Sequence, residues 1–254
     1  MRILKIEKSD LIHKNLKFAD FSLSFIYVEN CLYCICGDYM KRIVWDWNGT
    51  LFDDIKLCFE CINRLLCAHD LTPLDSVEKY RNVFDFPIQS YYEKIGFDFN
   101  KVSFEILADE YMEDYQEKSF DCSLHEDVLD TISSAQSYGI EQIILSASEK
   151  ENLLSQIHLF PLKEYFDESK IYGIDDIYAH SKLDLAKRYM KQVEQCNKTW
   201  FVGDSLHDAE VAKAVHANSV LVSTGHQSEA RLKEAGVPVF SSVRECLEYI
   251  NGRD

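Results

Sequence analysis

The chain has 254 residues, 46% apolar and 28% charged, with a formal net charge of −16. That length and apolar content suffice for one large α/β domain or for a domain with a smaller insert. A surface this acidic repels phosphodiester backbones and anionic lipids, which excludes nucleic acid and membrane as principal partners.

From the N-terminus, residues 1–39 differ in character from the rest and are expected to form an appended extension. Phe21 to Val28 has strand composition, Glu29-Asn30 can turn, and Cys31 to Cys36 can return as the second arm of a β-hairpin. Phe25 to Cys36 is the longest apolar stretch, and Glu29 and Asn30 interrupt it, so no membrane span is expected. No basic-then-apolar leader precedes it. The nine cysteines are scattered through apolar patterns, as reduced thiols of a cytoplasmic protein are. Cys31, Cys34 and Cys36 lack a second Cys/His pair at zinc spacing.

Met40 would be a natural start for an enzyme domain, and Ile43-Val44-Trp45 is a short buried strand directly after it. From Asp54 to about Asp121 the periodicity is helical: Cys58, Cys61, Ile62, Leu65 and Ala68 share one face, and Phe104, Leu107, Tyr111 and Tyr115 another, after an N-cap at Asn100. Pro73, Pro87 and Gly96 divide the stretch into short helices. After His125 a helix–strand rhythm begins. Strands are expected over Gln142–Leu145, Thr199–Val202 and Ser219–Val222, with helices over Leu183–Val193 and Asp208–Val215. A last helix starts from a Ser242/Glu245 capping box and ends near Ile250. Short β-rich runs separated by helices predict a doubly wound, Rossmann-like parallel sheet with an all-helical insertion after its first strand. The expected division is a core over 40–56 and 122–254, with a helical cap over 57–121.

Four segments carry chemistry, each at or near a strand's carboxyl end, where doubly wound folds bind ligands. Asp46 leaves a buried strand into Asn48-Gly49-Thr50, placing a carboxylate where it can attack phosphorus or hold a metal, although a plain Asx-turn has the same pattern. Ser146 ends an apolar strand ahead of Ala147 and Ser148, and a helix N-cap is the simpler explanation. Lys182 offers the local positive charge that an anionic substrate of an acidic protein needs. Asp204 and Asp208 follow Val202-Gly203, and hard oxygens there suit Mg²⁺.

Taken together, strand–Asp, strand–Ser, Lys and strand–Gly–Asp in this order resemble the haloacid-dehalogenase-like superfamily from residue 40 to about 250, and phosphoglycolate-phosphatase-like members most. The resemblance implies that Asp46 is a nucleophile carrying an aspartyl-phosphate. Gly49, Thr50, Ser146, Ala147 and Lys182 would hold the phosphoryl group. Asp46, the Asn48 carbonyl, Asp204 and Asp208 would hold Mg²⁺. It further implies a Mg²⁺-dependent phosphatase acting on a small phosphorylated metabolite, such as phosphoglycolate or a sugar phosphate, under a closing cap. The sequence departs at Asn48, where the family's phosphatases carry an acid/base Asp; an amide cannot exchange a proton, and such help is worth about 10²–10⁴-fold. His207 and His180 are candidates to replace it. Asn48 leaves two alternatives open. A phosphonate hydrolase would need Lys79 or Lys94 as a Schiff-base amine, and a low-turnover, phosphate-binding regulatory protein would need neither. Tyr91, Tyr92, Tyr111 and Tyr115 are either cap core or pocket wall.

Overall fold

The computed structural model describes residues 3–6, 23–28, 31–36, 41–174, 181–193 and 198–253. Met40, the Glu29-Asn30 turn and His180 lie outside them, as do the side chains of Cys31, Cys34 and Cys36. Strands β1 (Ile3–Ile6), β2 (Leu23–Val28) and β3 (Cys31–Cys36) form an antiparallel sheet in the order β1-β3-β2. The expected hairpin is β2–β3, and β1 adds a third strand on the far side of β3.

The main sheet has six parallel strands in the order β11-β10-β9-β4-β7-β8. They are β4 (Arg42–Trp45), β7 (Glu141–Glu149), β8 (Ile171–Ile174), β9 (Thr199–Gly203), β10 (Asn218–Val222) and β11 (Val239–Phe240). Alternation along β4 shows why both faces are covered. Ile43 and Trp45 pack with Val128, Ile132, Leu153 and Ile250 on one side, while Val44 packs with Leu185, Tyr189 and Val211 on the other. Helices α5 (Val128–Ser137), α6 (Lys150–Ile157) and α10 (Val243–Asn251) supply the first face, and α7 (Lys182–Gln192) and α8 (Leu206–Ala214) the second. The central strand is therefore flanked by layers on both sides, and its carboxyl end opens at a switch in strand order.

Between β4 and α5 the chain leaves through β5 (Phe52–Asp53) and returns through β6 (Ser123–Leu124), an antiparallel pair that pins both ends of the insertion. Within it lie α1 (Ile55–Ala68), α2 (Val77–Val83), α3 (Ile88–Lys94) and α4 (Phe104–Ser119). They enclose their own apolar cluster, which includes Cys58, Ile62, Leu66, Tyr80, Tyr92 and Leu107.

Several local expectations are corrected. The N-cap of α4 is Ser103, whose Oγ accepts from Ile106 N at 3.5 Å, and Asn100 instead bonds Asp98. Ser242 does accept from Glu245 N, but Glu245 reaches back to Ser241 N, so the reciprocal box is half formed. A complete box stands at Ser205/Asp208. The edge strands β8 and β11 and the β5–β6 pair were not expected, because runs of two to four residues carry too little pattern. No described helix is long and apolar enough to cross a membrane.

Candidate active site

The loop after β4 is shaped by Trp47, a fully buried ring. Its indole stacks on Phe52 at 5.2 Å and donates to Gln156 Oε1 at 2.9 Å. The Trp47 carbonyl accepts from the N–H groups of Thr50, Leu51 and Phe52, winding the chain into a tight turn. The carboxylate of Asp46 is thus left at the mouth of the central strand. Gly49 completes the turn at φ +72°, and a Cβ there would sit 2.5 Å from Asp204 Oδ2, so only glycine lets the loop approach the carboxylate.

Lys182 is the hub of the buried cluster. Its Nζ lies 2.5 Å from Asp46 Oδ1 and 2.5 Å from Asp208 Oδ1. Asp208 Oδ2 accepts from Ser205 N at 3.0 Å and from Ser205 Oγ at 2.6 Å, so both oxygens of Asp208 are engaged. Asp204 Oδ2 accepts from His226 N at 2.5 Å, and Asp204 Oδ1 from Thr50 Oγ1 at 3.3 Å. Oxygens of Asp46, Asp204 and Asp208 lie within 4.8 Å of one another. Three buried carboxylates share one ammonium, leaving two negative charges uncompensated. Burial, with Asp208 and Asp204 against Lys182, pushes Asp46 up to about 8; burial likewise raises Asp204. A hard divalent cation fits that deficit and that donor set.

Asn48 does not face this cluster with its amide free. Its Oδ1 accepts from Ser148 Oγ at 2.7 Å and Ser146 Oγ at 3.4 Å, and its Nδ2 donates to Asp54 Oδ2 at 2.9 Å and Tyr115 OH at 2.8 Å. The amide is a clamp joining β7, the first loop and α4. Ser146 Oγ thus reaches the first loop and does not cap α6, which is preceded by Glu149 and has no side-chain capping bond. Ala147 is exposed and lines the cavity. The N–H groups of Gly49 and Thr50, expected to hold phosphate, bond within the loop. Gly49 N donates to Phe52 O and Asp54 Oδ1, and Thr50 N to Trp47 O, so these N–H groups are already committed.

Two residues escaped the sequence. Asp54 stands at the N-cap of α1 but caps nothing; its carboxylate, 1% exposed, turns inward to Asn48, Gly49 N, Tyr115 and His226. His226 Nε2 lies 3.4 Å from Asp54 Oδ1, and Nδ1 meets Tyr80 OH at 2.8 Å. Burial opposes ionisation of both, but each outweighs it for the other: Asp54 is held down to about 2 and His226 pushed up to about 9. The available signal for His226 was its glycine-led loop, Thr224-Gly225-His226, directly after an apolar strand. Of the two proposed substitutes for the acid/base, His207 stacks on Phe86 at 4.9 Å and lines the cavity, and His180 lies outside the described residues.

Above the cluster lies a cavity of about 400 Å³, walled by the core loops on one side and by α1–α4 on the other. Tyr91, Tyr92, Tyr111 and Tyr115 belong both to the cap core and to this wall. Segment 80–86 docks on loop 224–231: Arg81 donates to Thr224 O at 2.6 Å, Ser228 Oγ to Asn82 Oδ1 at 2.7 Å, and Gln227 to Phe84 O at 3.2 Å.

A doubly wound sheet with a carboxylate at the mouth of its central strand, a buried lysine beside it and acids on the neighbouring strand defines a hydrolase architecture with an inserted helical lid. The chain belongs to the haloacid dehalogenase-like hydrolase family, whose model matches residues 43–222. No curated protein matches it in sequence. Among solved structures it is similar to a predicted phosphatase from Clostridium acetobutylicum, with a TM-score of 0.70 at 21% identity over 83% of this chain and 98% of that one. It is also similar to a candidate phosphoglycolate phosphatase from Lactobacillus delbrueckii subsp. bulgaricus (TM-score 0.64, 16% identity, 84% and 99% covered). A third likeness is to Protein Tyrosine Kinase A of Mycobacterium tuberculosis (0.68, 18%, 84% and 99%). At these identities the likenesses establish the fold alone, and such different names on one fold place the burden of function on the site.

Proposed function

We propose that the protein is a Mg²⁺-dependent phosphatase that hydrolyses a small phosphorylated metabolite through an aspartyl-phosphate on Asp46. The observation that carries this is the pairing of Asp46 with Lys182 at 2.5 Å, at the mouth of the central strand and beneath the cavity. In this proposal residues 57–121 are a cap over a core of residues 40–56 and 122–254.

Asp46 attacks phosphorus in line with the ester oxygen, and the bond to the alcohol breaks as the aspartyl-phosphate forms. Lys182 and Ser146 stabilise the equatorial oxygens as charge shifts onto them, with the backbone of Ala147 beside them. Asp46, Asp204 and the Asn48 carbonyl would hold the Mg²⁺, which when bound neutralises phosphate charge. Asp208 holds Lys182 in place rather than supplying a ligand, because both its oxygens are taken. Water then cleaves the acyl phosphate at phosphorus, returning the Asp46 carboxylate. Asn48 cannot exchange a proton, so we place the slow step at this hydrolysis.

Lys79 and Lys94 are exposed, and neither lines the cavity, so the phosphonate alternative lacks its amine. Phosphate release from small phosphoesters, measured with Mg²⁺ and with chelator on wild type and Asp46→Asn, tests the proposal. Metal-dependent release lost in the variant is expected, with a phosphorylated Asp46 trapped in the wild type by mass spectrometry. Equal release from the variant would show that Asp46 is not the nucleophile.

A further inference from the structure

We infer that the cap side of the cavity is a subsite for an uncharged, apolar and preferably aromatic leaving group. The substrate class is then a phosphomonoester of such an alcohol, rather than of a hydroxy acid. This rests on the phosphatase reading above and narrows its substrate.

The wall opposite Lys182 is built from aromatic and aliphatic side chains, with Phe84, Phe86, Tyr91, Tyr92, Phe104 and Tyr111 at its centre. A cavity of about 400 Å³ has room for a phosphate and one ring. Met112 and Phe120 also line it, yet they are 39% and 48% exposed, so large apolar groups stand at its mouth with nothing over them.

Charge on the same wall points the same way. No lysine or arginine of the insertion lines the cavity. Arg64 and Lys118 pair with Asp114, Lys94 with Asp85, Lys56 with Glu60, and Arg81 reaches a core carbonyl. Lys79 and Lys101 are exposed. Among the described residues the lysine and histidines that do line it, Lys182, His207 and His226, stand on the core side. Glu149 and Asp54 line it as well and repel a second anion. A substrate carboxylate entering this half would lose its water with no counter-ion to replace it.

Gln116, Ser119 and the tyrosine hydroxyls are the polar groups that the cap brings to this wall, and one of them is unpaired. The hydroxyl of Tyr91 is buried and has no hydrogen-bond partner among the described residues, although its ring forms part of the wall. A single hydroxyl or carbonyl on the bound ring would satisfy it.

The test compares three esters whose leaving alcohols are all aliphatic: ethyl phosphate, 2-phenylethyl phosphate and phosphoglycolate. Their non-hydrolysable phosphonate counterparts are measured in parallel by calorimetry on the full chain with Mg²⁺. Burying the phenyl ring is expected to raise kcat/KM about 100-fold over ethyl phosphate, with phosphoglycolate no better than ethyl. Phe120→Ala and Met112→Ala, at exposed positions where folding is not at stake, should lower kcat/KM for the phenylethyl ester by a larger factor than for the ethyl ester. Phenylethyl and ethyl compounds binding and turning over alike, or the glycolate compounds winning, would overturn the subsite while leaving the phosphatase reading intact. Selective binding of the phenylethyl phosphonate without release from any ester would sustain the subsite and remove the phosphatase reading.

Discussion

Asn48 and Asp54 show how one residue's chemistry depends on another's. The Asn48 amide donates to the Asp54 carboxylate at 2.9 Å, and that carboxylate is ionised because His226, Tyr115 and Asn48 all favour its charged form against burial. Replacing Asn48 with Asp would restore the family's usual residue but set two buried carboxylates against each other. Asn48→Asp is therefore expected to lower stability by about 1–3 kcal/mol at pH 7, and Asp54→Asn in the same chain to recover most of it. Urea unfolding of both single variants and the double variant checks this; additive losses would mean the two side chains do not interact.

The Asp54–His226 pair also sets a pH dependence. His226, raised from 6.5 to about 9, stabilises the fold fully below pH 6.5, and the contribution is lost as pH rises through 9. Asp54, lowered from 3.8 to about 2, contributes above pH 3.8 and loses this as pH falls through 2. Asp46, raised from 3.8 to about 8, makes the metal-free protein lose stability as pH rises from about 4 to about 8, and the loss persists above that. In chelator, then, stability is expected to fall through two overlapping windows, from about pH 4 to 8 for Asp46 and from 6.5 to about 9 for His226. Asp46→Asn should remove the lower one and His226→Gln the upper, each worth about 3 kcal/mol or more. A flat unfolding free energy from pH 5 to 9 in the wild type would contradict both assignments.

At the scale of elements, the cap meets the core through hydrogen bonds, an ion pair and ring contacts of Tyr80, Phe84 and Phe86 with His226 and His207. The segment from Tyr80 to Phe86 meets the loop after β10 through hydrogen bonds to Thr224 O, Ser228 and Gln227, and through the Arg231–Asp85 pair at 3.1 Å. Such an interface can open without exposing a hydrophobic core, as a lid requires. Arg81→Ala is expected to weaken closure by about 1–2 kcal/mol. Hydrogen exchange should then speed up across α2 and α3 and remain unchanged in β4 and β9. Unchanged exchange in α2 and α3 would show that Arg81 does not hold the lid.

At the scale of the molecule, among the described residues β1, β2 and β3 pair only with one another and add no strand to the six-stranded sheet. The buried polar cluster draws instead on Asp46, Lys182, Asp204, Asp208 and Thr50, all beyond residue 40. Deleting residues 1–39 is expected to leave metal-dependent phosphate release within about twofold of the full chain. A loss beyond tenfold would assign the extension a part in the site.

Much of this protein was legible in its sequence because the signals are local. Ile43-Val44-Trp45 is apolar on consecutive positions, which only a strand covered on both faces tolerates. Asp46, Ser146, Lys182 and Asp204 each follow or approach such a run, so the fold delivers them to one edge. Asn48 was visible as a departure, but its partners were not: Ser148, Asp54 and Tyr115 lie 100, 6 and 67 positions away. Asp54 looked like any helix-leading acid, and His226 like any loop histidine. Only the closed cap turns the first away from its helix and brings the second against Tyr80. The character of the cavity was hidden for the same reason, since helix-spaced aromatics look alike whether they face a core or a substrate. The four chemical segments and the order of layers came from local pattern; the clamp, the ion pair and the apolar cavity wall exist only where distant segments meet.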